Sequence, residues 1–297
     1  MAAKKLKASE RTTLLGKLTT QLKKRYGSKA PEPAEPRSVL ETLLFGALLE
    51  EAIEDEAEPA LASMLAGFHD LNEIRVSSIR EIERTIPDLH AADWKSLRIK
   101  DALQHIFELN FVYDLDALKK KNQEQQAGEL SEIPNATPFM RLYTLQAGLG
   151  NHVLPVDRHQ LALLNWLGLT DAVAAASGKK KSPPAEELAA DELKSAVRKS
   201  DGVLLSYLLR RAANEPCVLE VTLDELDAGA DDDEVDPKAR ISELDGLIEG
   251  GGKPSGKKKT AKATKTTKKA AKAAGKKATK KTAAKKSPKR AAKKTAK

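Results

Sequence analysis

The chain of 297 residues has one cysteine, Cys217. One thiol closes no intramolecular disulfide, and neither a four-thiolate zinc site nor a four-cysteine iron–sulfur cluster can be built from this chain alone. No cofactor is therefore expected, and a reducing, cytoplasmic compartment is. Aromatic residues are also scarce, with 5 Phe, 4 Tyr and 2 Trp. They are not interleaved with basic residues, so Trp94 and Trp166 read as core or boundary anchors rather than as base-stacking platforms. No apolar run is long enough to cross a bilayer. The basic start, Met1 to Lys7, leads to Glu10, Arg11 and Lys17 rather than to the apolar stretch of a secretory signal, and no membrane partner is expected. His69, His90, His105 and His152 lack the i,i+4 spacing of ligand pairs, so no metal is expected. Strict alternation of apolar and polar residues is missing as well. Residues 218–221 come nearest to a strand, and the fold class expected is all-α.

Charge of one sign is missing from the end of the chain. Residues 253–297 hold 19 Lys, one Arg and no acid, which leaves 31 basic and 43 acidic residues in 1–252. The formal net charge of +8 thus divides into −12 for residues 1–252 and +20 for the last 45. A stretch of Lys, Ala and Thr without large apolar side chains buries too little surface to offset the entropy of ordering, and it is expected to be a disordered arm. Three regions follow: a helical domain over 1–222, an acidic linker over 223–252 and the basic tail over 253–297. The linker's most acidic part, residues 224–236, has eight carboxylates among thirteen residues.

Within the first region, residues 6–26 place Leu14, Leu15, Leu18 and Leu22 on one helical face, ended by Gly27 and a Pro-rich connector. Ser38 caps the strongest helix, in which Val39, Leu40, Leu43, Leu44, Ala47 and Leu48 form a broad apolar face. That helix gives way to the acidic run from Glu50 to Glu58, closed by Pro59, and Glu50 and Glu51 read as an acidic helix end facing water. Further helices are expected over 60–68, 77–85, 93–112, 115–126, 130–148, 153–167, 186–199 and 202–213. The Lys-rich insert around Lys179, Lys180 and Lys181 reads as a surface loop.

The most specific stretch is Glu132-Ile133-Pro134-Asn135-Ala136-Thr137-Pro138-Phe139, followed by Val153-Leu154-Pro155-Val156-Asp157-Arg158-His159. These residues resemble the helix-hairpin-helix DNA glycosylase superfamily, the group that includes endonuclease III, over roughly residues 4–217. The resemblance implies a bilobal helical bundle. It also implies a hairpin at Asn135, Ala136 and Thr137 that meets a DNA phosphate, and an Asp at a later helix start, Asp157, that acts at the sugar. Two departures bear on activity. Both hairpin glycines are replaced, and while Asn135 tolerates a left-handed conformation, the β-branched Thr137 does not. Phe139 stands where bifunctional members carry their Schiff-base Lys, so that lyase chemistry is not expected.

Asp157 is the candidate catalytic residue. At a helix N-terminus its carboxylate can stabilise an oxocarbenium-like sugar or activate a water once the base is flipped out. The same residue type is also an ordinary N-cap for the helix that follows. Arg158 and His159 can meet phosphate or lie on a solvated face.

The tail resembles the C-terminal arm of linker histones and the Lys/Ala-rich tails of bacterial nucleoid proteins. Its DNA contacts are assigned to Lys258, Lys269, Lys277, Lys281, Lys286 and Arg290. If about ten of its charges engage phosphates, the log–log salt slope of binding is about −9. Lys–phosphate contacts position a protein without reading bases, so the partner expected is DNA bound independently of sequence, with RNA a further partner for the same charges. Nucleoid association follows. Two functions are left open: a monofunctional DNA glycosylase tethered by its tail, and a catalytically inactive, architectural DNA-binding relative.

Overall fold

A computed structural model describes residues 6–33, 35–177, 182–228 and 235–250. The Lys-rich insert, part of the acidic run, and the tail with Lys258, Lys269, Lys277, Lys281, Lys286 and Arg290 lie outside the described residues. Among the described residues every regular element is a helix. The described residues form one compact unit.

Helix α1 (Ala8–Tyr26) buries Leu14, Leu15, Leu18 and Leu22 together with Arg11, and Gly27 ends it at φ 95°. Helix α2 (Val39–Leu49) opens on a capping box. Ser38 Oγ accepts from the Glu41 N–H at 3.1 Å, and Glu41 Oε2 accepts from the Ser38 N–H at 2.9 Å. Every residue of α2 except Glu41 is buried, so this is a central helix rather than one with a single apolar face. Gly46 makes that centrality possible, since a Cβ there would stand 3.3 Å from the Tyr143 ring and 3.5 Å from the Met140 carbonyl.

Helix α3 (Glu54–Ala66) begins earlier than expected, and Pro59 lies exposed inside it rather than closing the acidic stretch. Then come α4 (Leu71–Val76), α5 (Ile79–Glu83) and α6 (Ala92–Asn110), a 3-10 turn (Asp116–Lys120) and α7 (Gln123–Ser131). Helix α8 (Pro138–Tyr143) runs into a π turn (Thr144–Gly148), and α9 (Arg158–Trp166), α10 (Ala172–Ser177), α11 (Ala185–Ala196), α12 (Lys199–Ala213), α13 (Pro216–Ala228) and α14 (Pro237–Gly250) complete the order.

Two hydrophobic cores give the expected bilobal bundle. One gathers Val39, Leu43, Phe45, Ile82, Ile99, Leu103 and Phe139 from α2 to α8. The other joins α1 to the later helices through Leu18, Leu22, Leu164, Trp166, Leu193, Leu205 and Leu209. The N-terminal helix therefore packs with the C-terminal half of the chain, an order that periodicity alone does not reveal.

Two expectations are corrected at the C-terminal side. Residues 218–221, the nearest strand candidate, are part of α13, where the buried Val218 and Thr222 are spaced i,i+4. The boundary at residue 222 also lies inside α13, and the supposed linker contains α14. That helix buries Ile241, Leu244, Leu247 and Ile248 in the second core. Gln21 and Arg25 of α1 donate to the Ile241 and Ile248 carbonyls at 2.7 and 3.0 Å, and Arg240 lies 4.6 Å over the Trp166 ring. An apolar stripe of four residues outweighs the acidic composition around it.

Candidate functional site

The hairpin connects α7 to α8. Asn135 adopts φ 58°, the left-handed conformation expected of it, and its side-chain amide donates to Asp101 Oδ2 at 2.6 Å. The Ala136 N–H is turned inward to the Ile133 carbonyl at 3.3 Å. Thr137 corrects the expected conflict, because it is extended, with φ −70° and ψ 160°, and needs no left-handed conformation. Its hydroxyl oxygen caps α8 by accepting from the Met140 N–H at 3.1 Å, and Pro138 fills the first helical position. Phe139 is in the first core, its ring 6.0 Å from that of Tyr143 and inclined by 20°. No amine stands at that position.

Asp157 is the N-cap of α9. Its Oδ1 accepts from the Gln160 N–H at 2.8 Å, while Gln160 Oε1 accepts from the Asp157 N–H at 3.1 Å. The ordinary capping role is therefore real. The second carboxylate oxygen does something a cap does not require, accepting from the Glu51 N–H at 3.1 Å across the seam between the lobes. With both oxygens engaged, Asp157 is 1% exposed. Glu51 holds φ 55°, a left-handed conformation a non-glycine residue keeps only when its surroundings enforce it.

That enforcement comes from the C-terminal end of α2. Lys95, on α6, is 2% exposed, and its ammonium donates to the Leu48 carbonyl at 2.7 Å and to the Glu50 carbonyl. A cation at a helix C-terminus satisfies carbonyls that have no intrahelical donor. Burial pulls the Lys95 ammonium down to about 8, against the opposing pull of Glu50, Glu51 and Asp157. Arg98, one turn further along α6, donates to Glu50 Oε2 at 2.5 Å.

The Glu50 side chain is 13% exposed. Burial pushes its carboxyl up to about 7, Arg98 opposes that shift, the Asp157 charge adds to it, and the nearby Thr137 side chain lowers it. Glu50 and Glu51 are thus not an acidic helix end facing water. Hydrogen-bond donors and cations from α6 and the hairpin, which the local sequence does not contain, fold over them.

The same seam carries a second polar latch. Arg210 of α12 is 3% exposed and donates through Nε and Nη2 to Glu54 Oε1 at 3.0 and 2.7 Å, while Arg211 donates to Asp55 Oδ2 at 2.6 Å. Glu54 Oε2 and Arg210 Nη1 are buried without a hydrogen-bond partner.

The residues after Asp157 divide between the surface and the interior. Arg158 is half-exposed and pairs with Asp227 of α13 at 2.5 Å. His159 is 7% exposed, with Nδ1 2.8 Å from Asn214 Oδ1, so it does not lie on a solvated face. Its ring lies 6.4 Å from that of His90, whose Nε2 is 3.5 Å from Glu51 Oε2. Among the described residues no group of three His, Cys, Asp or Glu is placed to hold a metal ion, and no helix is long and apolar enough to cross a membrane.

Sequence reasoning missed Lys95 and Arg98. For Lys95 a signal was there, since it stands one turn before Ile99 on the inward stripe continued by Leu103 and Ile106. A lysine on a core stripe is a buried cation that must find acceptors.

No family model matches the chain, and no curated protein matches it. Among solved structures it is similar to endonuclease III in a trapped covalent intermediate with DNA, with 12% identity over 67% of this chain and 84% of that one and a TM-score of 0.48. It is also similar to the H. pylori 3-methyladenine DNA glycosylase bound to 1,N6-ethenoadenine, with 15% identity over 80% of this chain and 94% of that one and a TM-score of 0.42.

Proposed function

We propose that this chain is a DNA-binding protein of the base-excision type, a monofunctional DNA N-glycosylase that lacks Schiff-base chemistry and is held on duplex DNA by residues 253–297. One observation carries the proposal. The hairpin and the helix-start Asp, separate in sequence, converge on the end of α2, with Thr137 near the Glu50 carboxyl and Asp157 accepting from the N–H of Glu51. Asp157 supplies the negative charge that an oxocarbenium-like sugar needs. Phe139 in the core supports a single-step excision, because an aromatic ring offers no nucleophile.

Charge assigns the two parts different work. Residues 1–252 carry −12 and are repelled by phosphate, so affinity comes from the +20 of the tail. The partner is DNA without sequence preference, the same charges accept RNA, and the cellular setting is a nucleoid in the cytoplasm.

A binding-only, architectural protein on the same core is favoured by one feature, the engagement of both Asp157 oxygens by backbone N–H groups at 1% exposure. One experiment separates the two functions. The full chain, in excess over labelled duplexes carrying uracil, oxidised or alkylated bases, is followed by hot alkali to cut at abasic sites, with Asp157→Asn in parallel and its melting temperature recorded. Alkali-labile product that is lost in a folded Asp157→Asn protein is the expected result. No product on any duplex, with salt-sensitive binding that disappears on removal of residues 253–297, establishes the architectural protein instead.

A further inference from the structure

We propose that the groove between α1 and α14 is a second nucleic-acid site, in which one sugar–phosphate strand of duplex DNA lies along α1. This inference rests on DNA as the partner of residues 253–297 and adds a surface on the folded body to it. The −12 of residues 1–252 is spread unevenly. Residues 1–29 hold nine Lys or Arg and a single acid, Glu10, which leaves 22 basic and 42 acidic residues in 30–252. The first segment thus carries +8 and the remainder −20. On a body that otherwise repels phosphate, α1 is where a polyanion is attracted.

Helix α1 turns its leucines into the second core, and its outer side forms one wall of a groove of about 720 Å³. Gly16, Lys17, Lys24 and Arg25 stand on that wall, Asp245 and Glu249 on the α14 wall. The bonds from Gln21 and Arg25 to the Ile241 and Ile248 carbonyls hold the two walls together. Lys17 and Lys24 are exposed, and neither pairs with an acid among the described residues, whereas Arg98, Arg141, Arg158 and Arg240 each do. The two lysines are two helical turns apart, about 10.5 Å of rise, which matches about three phosphate steps on one strand of DNA. The acids of the opposite wall keep phosphates on the α1 side, so a single strand is held.

Gly16 supplies an observation independent of charge. It is in the interior of α1, where glycine weakens a helix relative to alanine. A Cβ there would meet no atom within 4 Å, so no packing neighbour requires the glycine. Thr13 and Thr20, along the same wall, turn their hydroxyls to their own helix and donate to the Ser9 and Gly16 carbonyls at 3.0 and 2.8 Å. The wall between the lysines is therefore low, and a phosphate backbone can approach the helix closely there. Lys253, the first lysine of the tail, follows Glu249 by four residues of sequence, so DNA gathered by the tail is kept at high effective concentration for α1. The few contacts on α1 are too weak to hold DNA alone against −20, and they add to those of the tail.

Fluorescence anisotropy of a short undamaged duplex, titrated with the full chain over a series of salt concentrations, tests this. Lys17→Glu combined with Lys24→Glu is expected to weaken binding about 30-fold at about 0.1 M salt and to make the log–log salt slope shallower by about 2. Lys120→Glu combined with Lys194→Glu makes the same change of charge at exposed positions outside the groove, and it is expected to weaken binding by only about 3-fold. Gly16→Gln is expected to raise the melting temperature, because a helix former replaces glycine, and still to weaken binding about 5-fold by blocking the wall. That readout holds even if the double variant fails to fold. Equal losses from the two double variants, an unchanged salt slope, or full binding by Gly16→Gln overturns the groove and leaves the tail's partner standing. No binding of DNA by the full chain overturns both.

Discussion

At its N-terminal end α2 is closed by neighbours, Ser38 and Glu41, three residues apart and exchanging two hydrogen bonds. At its C-terminal end the closing groups come from afar: the Lys95 ammonium reaches the Leu48 carbonyl across 47 residues of sequence, and the Asp157 carboxylate reaches the Glu51 N–H across 106. The first closure is a helix signal and little more. The second draws both lobes, the hairpin and the later helix to one place, where Glu50 and Asp157 lie. A helix end that local sequence leaves open is where a fold can assemble a site.

The comparison makes the C-terminal end the more costly one to damage. The largest loss is expected for Arg210→Met, which leaves Glu54 buried beside the seam without its cation; urea unfolding should show about 4 kcal/mol of destabilisation. Asp157→Ala removes a cap and strands the Glu51 N–H, for about 3 kcal/mol in the same assay. Asp157→Asn, which can still cap α9, should lose less.

A pH series sharpens the comparison without deleting a side chain's bulk. Glu50 titrates at about 7 in the folded chain against an ordinary value of 4.5, so the native state holds the proton more tightly than the unfolded one. Its contribution to stability is full below pH 4.5 and is lost as pH rises through 7, a change of about 3 kcal/mol. The difference in unfolding free energy between wild type and Glu50→Gln, measured from pH 4 to pH 8, should show that slope. A flat difference would mean that water reaches Glu50 freely. The smallest effect belongs to the local end, where Ser38→Ala should cost about 1 kcal/mol and leave excision and DNA affinity as they were. A Ser38→Ala loss equal to that of Asp157→Ala would erase the distinction between the two ends.

Much of the fold was legible because helix signals are local. Ser38 with Glu41, the leucine stripe of α1 with Gly27 after it, and Asn135 in its left-handed turn were all readable from a few adjacent residues. Thr137 was misread, since a glycine position in a resembling motif does not establish the backbone conformation a different residue will take there. Glu50 and Glu51 were misread for a related reason. An acidic run is solvated unless something covers it, and the covering groups, Lys95 and Arg98, belong to a helix more than forty residues on. α14 was hidden by composition, its four apolar residues diluted among charged ones.

The sequence by itself determined most of the helices, the Ser38 cap of α2, the division of charge between residues 1–252 and the tail, and the absence of any cysteine pair. These follow from propensity, periodicity and counting, which act over a few residues or none. Only the tertiary structure decided that Asp157 ties the lobes together, that Lys95 is a buried cation and that Glu50 holds its proton up to about 7. Burial and the fields of distant charges set those properties, and both exist only once α2, α6, the hairpin and α9 have packed against one another.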